Sequence, residues 1–214
     1  MSEVIAGVHP TRMELLTLRK RRDIAERGRD LLREKLDALM VEFFEQVRQI
    51  SELRERSHTL LREAYTLFSE AQMMHGLRNL EQIAIGVEDR YALDAKTRNV
   101  IGVTLPDIRI RVAPLRTAPY NLLATSAKLD EATMKMSEAL KAIADLSSVE
   151  AATRKLAHAI ASTKRRVNSL DYVVLPRVVR SIRYIQMHLE EREREDFFRL
   201  KRIKSRMEKR AEAV

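Results

Sequence analysis

The chain has 214 residues, a third of them charged, with no cysteine and no tryptophan. Without cysteine there is no disulfide, no thiolate metal site and no cysteine nucleophile. All five glycines (Gly7, Gly28, Gly76, Gly86 and Gly102) fall in the first half, and a compact α/β or all-β domain needs turn glycines throughout. Leu, Ala, Arg, Glu and Lys dominate, as they do in long helices and coiled coils.

The net charge of +9 is unevenly placed. Residues 1–75 hold 13 basic and 13 acidic side chains, residues 76–119 hold 7 and 5, and residues 120–214 hold 20 and 13. Such a bias fits nucleic acid, acidic lipid or an acidic protein partner, or only a solvated helix face. The opening residues lack a basic stretch followed by an apolar one, so no secretory signal is expected. No apolar run reaches the roughly 18 residues of a membrane-spanning helix.

Thr11-Arg12-Met13-Glu14 fits a capping box at the start of the first helix, directly after Pro10. A heptad register follows. Its a positions are Leu15, Arg22, Arg29, Leu36, Phe43, Ile50, Ser57, Ala64 and Ala71. Its d positions are Leu18, Ala25, Leu32, Leu39, Gln46, Leu53, Leu60, Leu67 and Met74. Fourteen of these eighteen are apolar, with no proline among nine heptads. A strict seven-residue repeat keeps its seam on a partner helix by left-handed supercoiling. Arg22 and Arg29 interrupt the seam, which predicts a loose or locally open stretch with those side chains reaching outward.

The register breaks at His75-Gly76. Ile83-Ala84-Ile85-Gly86-Val87 and Val100-Ile101-Gly102-Val103-Thr104-Leu105 are rich in β-formers, and Ile108-Arg109-Ile110-Arg111-Val112 alternates apolar and basic. Asp94-Ala95-Lys96-Thr97-Arg98-Asn99 reads as a turn between the first two, and Pro106, Pro114 and Pro119 punctuate the end. Residues 80–115 are therefore expected to form a β-hairpin or small irregular β module. A lone hairpin is marginally stable in water, so it must lean on the helices or on a partner.

Helix is expected again from about Asn121 to about Arg206. Leu129, Ala132, Met136, Ala139, Ile143 and Leu146 hold a heptad, continued by Ala152, Leu156, Ala159 and Thr163. Ser147-Ser148-Val149-Glu150 fits either a second capping box or a helix that passes through two serines. Val167, Leu170, Val174, Val178, Ile182, Ile185 and Leu189 then recur with one extra four-residue step, a stutter that locally unwinds a supercoil. Pro176 lies inside it and predicts a bend, or else the boundary between two helices.

At about 1.5 Å per residue the first helix would span roughly 95–100 Å and the second segment up to about 130 Å. The expected fold is thus mainly α. The N- and C-terminal helices form a long antiparallel two-helix coiled coil, with a small β-hairpin module in the middle. The expected organisation is one elongated domain, divided into residues 1–75, 76–119 and 120–214. The predicted seam is carried by Leu32, Leu36, Leu39, Phe43, Ile50, Leu53, Leu60, Val167, Leu170, Val174, Ile185 and Leu189.

Catalytic motifs are missing. There is no G-x-x-x-x-G-K-[ST] loop to cradle a phosphate and no G-x-G-x-x-G. His9, His58, His75, His158 and His188 are dispersed, and Met73-Met74-His75 reads as helix packing before it reads as a soft-metal site. Glu190-Glu191-Arg192-Glu193-Arg194-Glu195-Asp196 reads as a solvated, salt-bridged face. No catalytic residue, metal ligand or cofactor is expected.

The basic clusters Arg19-Lys20-Arg21-Arg22, Lys164-Arg165-Arg166 and Arg199, Lys201, Arg202, Lys204 and Arg206 lack interleaved aromatics to stack bases. An acidic protein collar fits them better than nucleic acid. Antiparallel pairing is expected to bring the first and last of these clusters towards the same end.

Pro10-Thr11-Arg12-Met13-Glu14-Leu15-Leu16, Arg19-Lys20-Arg21 and the stretch from Ala25 to Asp37 resemble the D subunit of the A-type and V-type ATPases. So do Arg165-Arg166-Val167-Asn168-Ser169-Leu170, Pro176-Arg177, and Leu189-Glu190-Glu191-Arg192-Glu193-Arg194-Glu195 leading into Phe198-Arg199-Leu200-Lys201. The likeness covers nearly the whole chain and is weakest across the β module.

It implies a non-catalytic axle of the central stalk, coupling ATP turnover to proton or sodium movement. Its implied partners are the catalytic A and B subunits, the F subunit of the stalk and the component that caps the membrane rotor ring. The implied location is cytoplasmic, peripheral to the cell membrane through that complex. Residues 11–37 and 167–204, with Arg19, Lys20, Arg21, Arg22, Arg29, Arg199, Lys201 and Arg202, are implied to lie inside the A/B hexamer. An axle turning in a collar favours charge and small contacts over a fixed apolar interface. A coiled-coil scaffold or tether for acidic protein partners is the alternative that the seam alone would equally support.

Overall fold

Two helical runs and one hairpin make up the computed structural model, which describes residues 9–87, 90–112, 120 and 125–211. The first run is α1 (Arg12–His75), followed by a short helix α2 (Leu77–Ile85). Strands β1 (Tyr91–Val100) and β2 (Val103–Val112) form an antiparallel hairpin. The second run is α3 (Ala127–Ser169), a π-helical turn (Leu170–Val174) and α4 (Leu175–Ala211). The expected helix start near Asn121 and the prolines Pro114 and Pro119 lie outside the described residues.

The chain divides into two units, one of Met1–Leu36 with Ser162–Val214 and the other of Asp37–Ala161. In each, the first helical run pairs with the second in opposite directions. Within the first unit Arg12 meets Glu193 at 2.6 Å and Arg33 meets Asp171 at 2.6 Å. Partner numbers fall as α1 numbers rise, which defines an antiparallel pair. In the second unit the same descent runs through Arg54–Glu150, Lys135–Glu63 and Lys128–Glu70.

The start of α1 is capped as its sequence requires. Thr11 Oγ1 accepts from the Glu14 backbone amide at 3.2 Å, satisfying one of the first-turn donors. From Leu15 to Leu67, every a and d position is buried or half-buried. The last, Met74, is exposed one residue before the helix ends. Full burial of a large seam side chain such as Leu18 or Leu39 is worth about 1.5–3 kcal/mol, and the half-buried ones contribute less.

In the second unit Ser57, Ala64, Ala71, Ala132 and Ala139 are all buried. Side chains this small let two helix backbones approach closely. That explains how a seam poor in bulky residues still excludes water.

The middle of the chain differs from expectation in three places. Ile83, Ala84 and Ile85 are not a strand but the end of α2, because Leu80 and Ile83 one turn apart pack onto Ala71 and Leu129. Asp94 to Asn99 are not a turn but the body of β1. Its charged residues are those that protect an exposed strand edge. The turn is instead Ile101-Gly102, between the paired Val100 and Val103, and both residues adopt positive φ (51° and 77°). A two-residue hairpin loop of this kind matches strand twist, and Gly102 occupies its position without strain.

The hairpin leans on the helices, as a lone hairpin must. Leu105 of β2 is 1% exposed, packed with Leu39, Ala152 and Leu156 and flanked by Val100, Val103 and Phe43. Ser148 supplies a polar latch. Its Oγ accepts from the Ile108 amide at 3.2 Å and donates to the Pro106 carbonyl at 3.3 Å. The missing N–H of Pro106 thus faces α3 and not β1, the only side on which a strand tolerates it. Arg98 adds an ion pair to Glu42 of α1 at 3.2 Å. Of the two readings of Ser147 and Ser148, the continuous helix is the one observed.

Candidate functional surface of the terminal helices

The first unit pairs α1 up to Leu36 with the run from Ser162 onwards. Its apolar core is Leu18, Val178, Ile182 and Ile185, with Leu15 and Leu189 packed on the margin. Leu32, Leu36 and Leu170 are half-buried and Val167 is buried. In the second unit Leu39 is buried, and Phe43, Ile50, Leu53 and Leu60 are half-buried.

Val174 departs from the predicted seam. It is exposed, and Leu175 is buried in its place. The cause is the π turn, in which the Leu175 amide bonds to the Leu170 carbonyl, five residues back. The inward positions therefore run Val167, the half-buried Leu170, Leu175 and Val178, with a step of five where the sequence offered four. Pro176 supplies a reason. It cannot donate to the Tyr172 carbonyl and its ring presses on that group, so a widened turn just before it relieves the clash. The helical backbone continues through Pro176 as α4.

The π turn also turns Asp171 towards α1. Its side chain is 17% exposed, with Arg33 at 2.6 Å and Arg29 at 3.7 Å. Arg29 also bonds Asp30, at 2.8 Å. That hydrogen bond first, then the charges of Asp30 and Asp171, hold the guanidinium above its ordinary pKa against the cost of burial. Arg22 is raised in the same way by Asp23, with a smaller part from Glu26. Arg29 is thus drawn across to Asp171 and does not reach outward, whereas Arg22, with 40% of its side chain exposed, pairs along its own helix with Asp23 and Glu26. Asp171, Arg33 and Glu42 were not singled out from the sequence, and Ser148 was read only for helix continuity, not as a partner of the hairpin. The signal for Asp171 was an acidic residue beside the seam in an otherwise basic stretch.

Arg19, Lys20 and Arg21 are exposed on α1, and Arg199, Lys201 and Arg202 are exposed on α4. Arg199 pairs along its own helix with Glu195 and Asp196, at 3.7 and 3.6 Å. Both clusters lie in the first unit, towards the same end as antiparallel pairing requires, but at different heights along it. Arg12 meets Glu193, so Arg199 lies about 9 Å beyond that crossing and Arg19 about 10 Å before it.

Past Glu193, α4 continues to Ala211 beyond the first residue of α1. This overhang carries the exposed apolar side chains Phe197, Phe198, Leu200, Ile203 and Met207. The surface is therefore not confined to charge and small contacts, because α1 begins at Arg12 and none of the described residues covers these side chains. The first unit also holds all of the net positive charge, with 24 basic and 14 acidic residues against 16 and 17 in the second.

Among the described residues no group of His, Asp and Glu is placed to hold a metal ion. None of the described helices is long and apolar enough to cross a membrane.

Comparison with known proteins decides the family. The model of the ATP synthase D-subunit family matches residues 14–205. The chain belongs to the D-subunit family of ATP synthases. The A-type ATP synthase D subunit of Methanopyrus kandleri is 41% identical over 208 residues, covering 97% of this chain and 90% of that protein. The A-type ATP synthase D subunit of Pyrococcus horikoshii is 40% identical over 208 residues, covering 96% and 97%. That of Pyrococcus furiosus is 41% identical over 210 residues, with the same coverage. The family match spans both units and includes the hairpin.

Proposed function

We propose that this chain is a non-catalytic rotor shaft in the central stalk of an A-type ATP synthase. In this role it couples ATP synthesis or hydrolysis to proton or sodium transport. The observation that carries the reading is the match to A-type D subunits over almost the full length of both chains. The antiparallel helix pair supports it physically, since paired helices resist twisting better than a single helix does.

Its partners on this reading are the catalytic A and B subunits, the F subunit of the stalk and the component capping the membrane rotor ring. The chain attaches to the membrane only through that assembly. The first unit, with its excess of positive charge and the apolar α4 overhang, is the end proposed to enter the A/B hexamer. Exposed apolar groups of this kind mark interaction surfaces, and the basic flanks suit an acidic collar. Arg19, Lys20, Arg21, Arg22, Arg29, Arg199, Lys201 and Arg202 belong to that end.

The test is co-expression with A, B and F subunits, followed by a cysteine introduced at Phe198 and one on the facing hexamer wall. The chain has no cysteine of its own, so the introduced thiol is the only one it can contribute to a cross-link. The expected outcome is an assembled ATPase that stops when oxidised and resumes when reduced. Turnover that continues with the link closed would favour a static scaffold, and failure to assemble would remove the proposed place in the complex itself.

A further inference from the structure

The apolar cluster of Leu18, Val178, Ile182 and Ile185 lies towards one end of the first unit, and large apolar seam residues of α1 resume only at Leu32 and Leu36. Between Leu18 and Leu32 the seam positions of α1 are Arg22, Ala25 and Arg29, none of them a large apolar side chain. A sliding displacement of α1 against its partner would forfeit little hydrophobic contact along that stretch. Register there needs another determinant, and charge placed on the seam is one that coiled coils use.

The π turn supplies it. Asp171 projects towards α1 and lies between Arg29 and Arg33, residues four apart and therefore adjacent on one face of α1. A carboxylate shared by two guanidiniums one turn apart has a single axial position that satisfies both. Sliding by one heptad in one direction would replace Arg29 and Arg33 by Arg22 and Glu26. Asp171 would then face a carboxylate, and Arg29 and Arg33 would lose their shared acceptor in a unit already rich in positive charge. The opposite slide would set Asp171 against Leu36. Both alternatives leave a largely buried charge poorly compensated, which is costly.

We propose that the Asp171 clamp on Arg29 and Arg33, presented by the π turn, selects the register of the terminal helix pair. This is a positioning role for three residues that touch no substrate, and it stands apart from the question of rotation.

The experiment uses the full chain with spin labels on cysteines introduced at Arg27 and Glu195, both exposed and both outside the clamp. Pulsed electron paramagnetic resonance should give one narrow distance in the otherwise unaltered chain. In Asp171→Leu the distribution should broaden or split, displaced by about 5–10 Å, one turn to one heptad, while helix content by circular dichroism is kept. Because that variant strands two arginines and could unfold, the triple variant R29L/R33L/D171L is measured beside it. Removing all three charges together strands no buried ion, and the Arg33 side chain is itself 52% exposed. The triple variant should therefore stay folded, with helix content kept, and still show more than one distance. A single parental distance in either folded variant would overturn the proposal. It would mean that packing alone sets the register and that the clamp contributes only stability.

Discussion

At the scale of single residues, Tyr120 illustrates how burial and a partner act together. Its hydroxyl donates to Asp130, and its ring packs beside Ala71, Leu80 and Leu129. Burial first, and the Asp130 hydrogen bond second, raise its pKa above the ordinary tyrosine value. Lys128 and Lys135 are raised as well, chiefly by hydrogen bonds to Glu70 and Glu63. In all three the folded state holds its proton more tightly than the unfolded chain does. Their contribution is fully present below the unfolded values near pH 10 and disappears as pH rises through the folded ones. Denaturant titrations from pH 8 to 11.5 should accordingly show stability falling above about pH 10. Tyr120→Phe should be less stable by about 0.5–1 kcal/mol at pH 8, the net worth of one hydrogen bond. That gap should close at the alkaline end, and a gap unchanged at pH 11.5 would refute the assignment.

At the scale of elements, the hairpin tip carries a local conflict. Ile101 is β-branched, yet it sits at φ 51°, with 42% of its surface exposed. A left-handed conformation costs an ordinary L-residue roughly 1–2 kcal/mol, whereas asparagine followed by glycine is the favoured pair for such a turn. Ile101→Asn should therefore slow hydrogen exchange of the β1 and β2 amides, by a factor corresponding to about 0.5–1 kcal/mol. Faster exchange would show that the Ile101 side chain contributes more packing than its backbone costs. The hairpin was only partly legible in the sequence. Its alternating strand from Ile108 to Val112 was readable, because side chains alternate faces with period two. The turn was misplaced because Asp94, Lys96 and Arg98 look like loop residues unless one knows that β1 is an edge strand.

At the scale of the whole molecule, the α4 overhang is the feature that seam patterns do not reveal. After Glu193, which meets Arg12 at the start of α1, Phe197, Phe198, Leu200, Ile203 and Met207 are all exposed, so this stretch of α4 buries little apolar surface in the pair. A chain truncated after Arg194 should keep its melting behaviour, with stability changed by less than about 1 kcal/mol. The same truncation should weaken association with A and B subunits, measured by co-purification and by ATPase activity of the reconstituted complex. A large loss of thermal stability would show instead that the overhang is part of the fold.

The sequence by itself determined the two helical runs, their antiparallel pairing, the heptad seam of α1 and the need for a supported β element between them. Each follows from local periodicity, capping and chain length, which a single strand of residues carries. It also carried the family, through motifs long enough to be distinctive. The tertiary structure alone decided where the seam shifts, because the π turn that buries Leu175 and exposes Val174 depends on both Pro176 and the helix opposite. It alone paired Asp171 with Arg29 and Arg33 and assigned Ser148 to the hairpin edge. Arg33 and Asp171 are 138 positions apart, and no local pattern encodes the axial offset that brings them together.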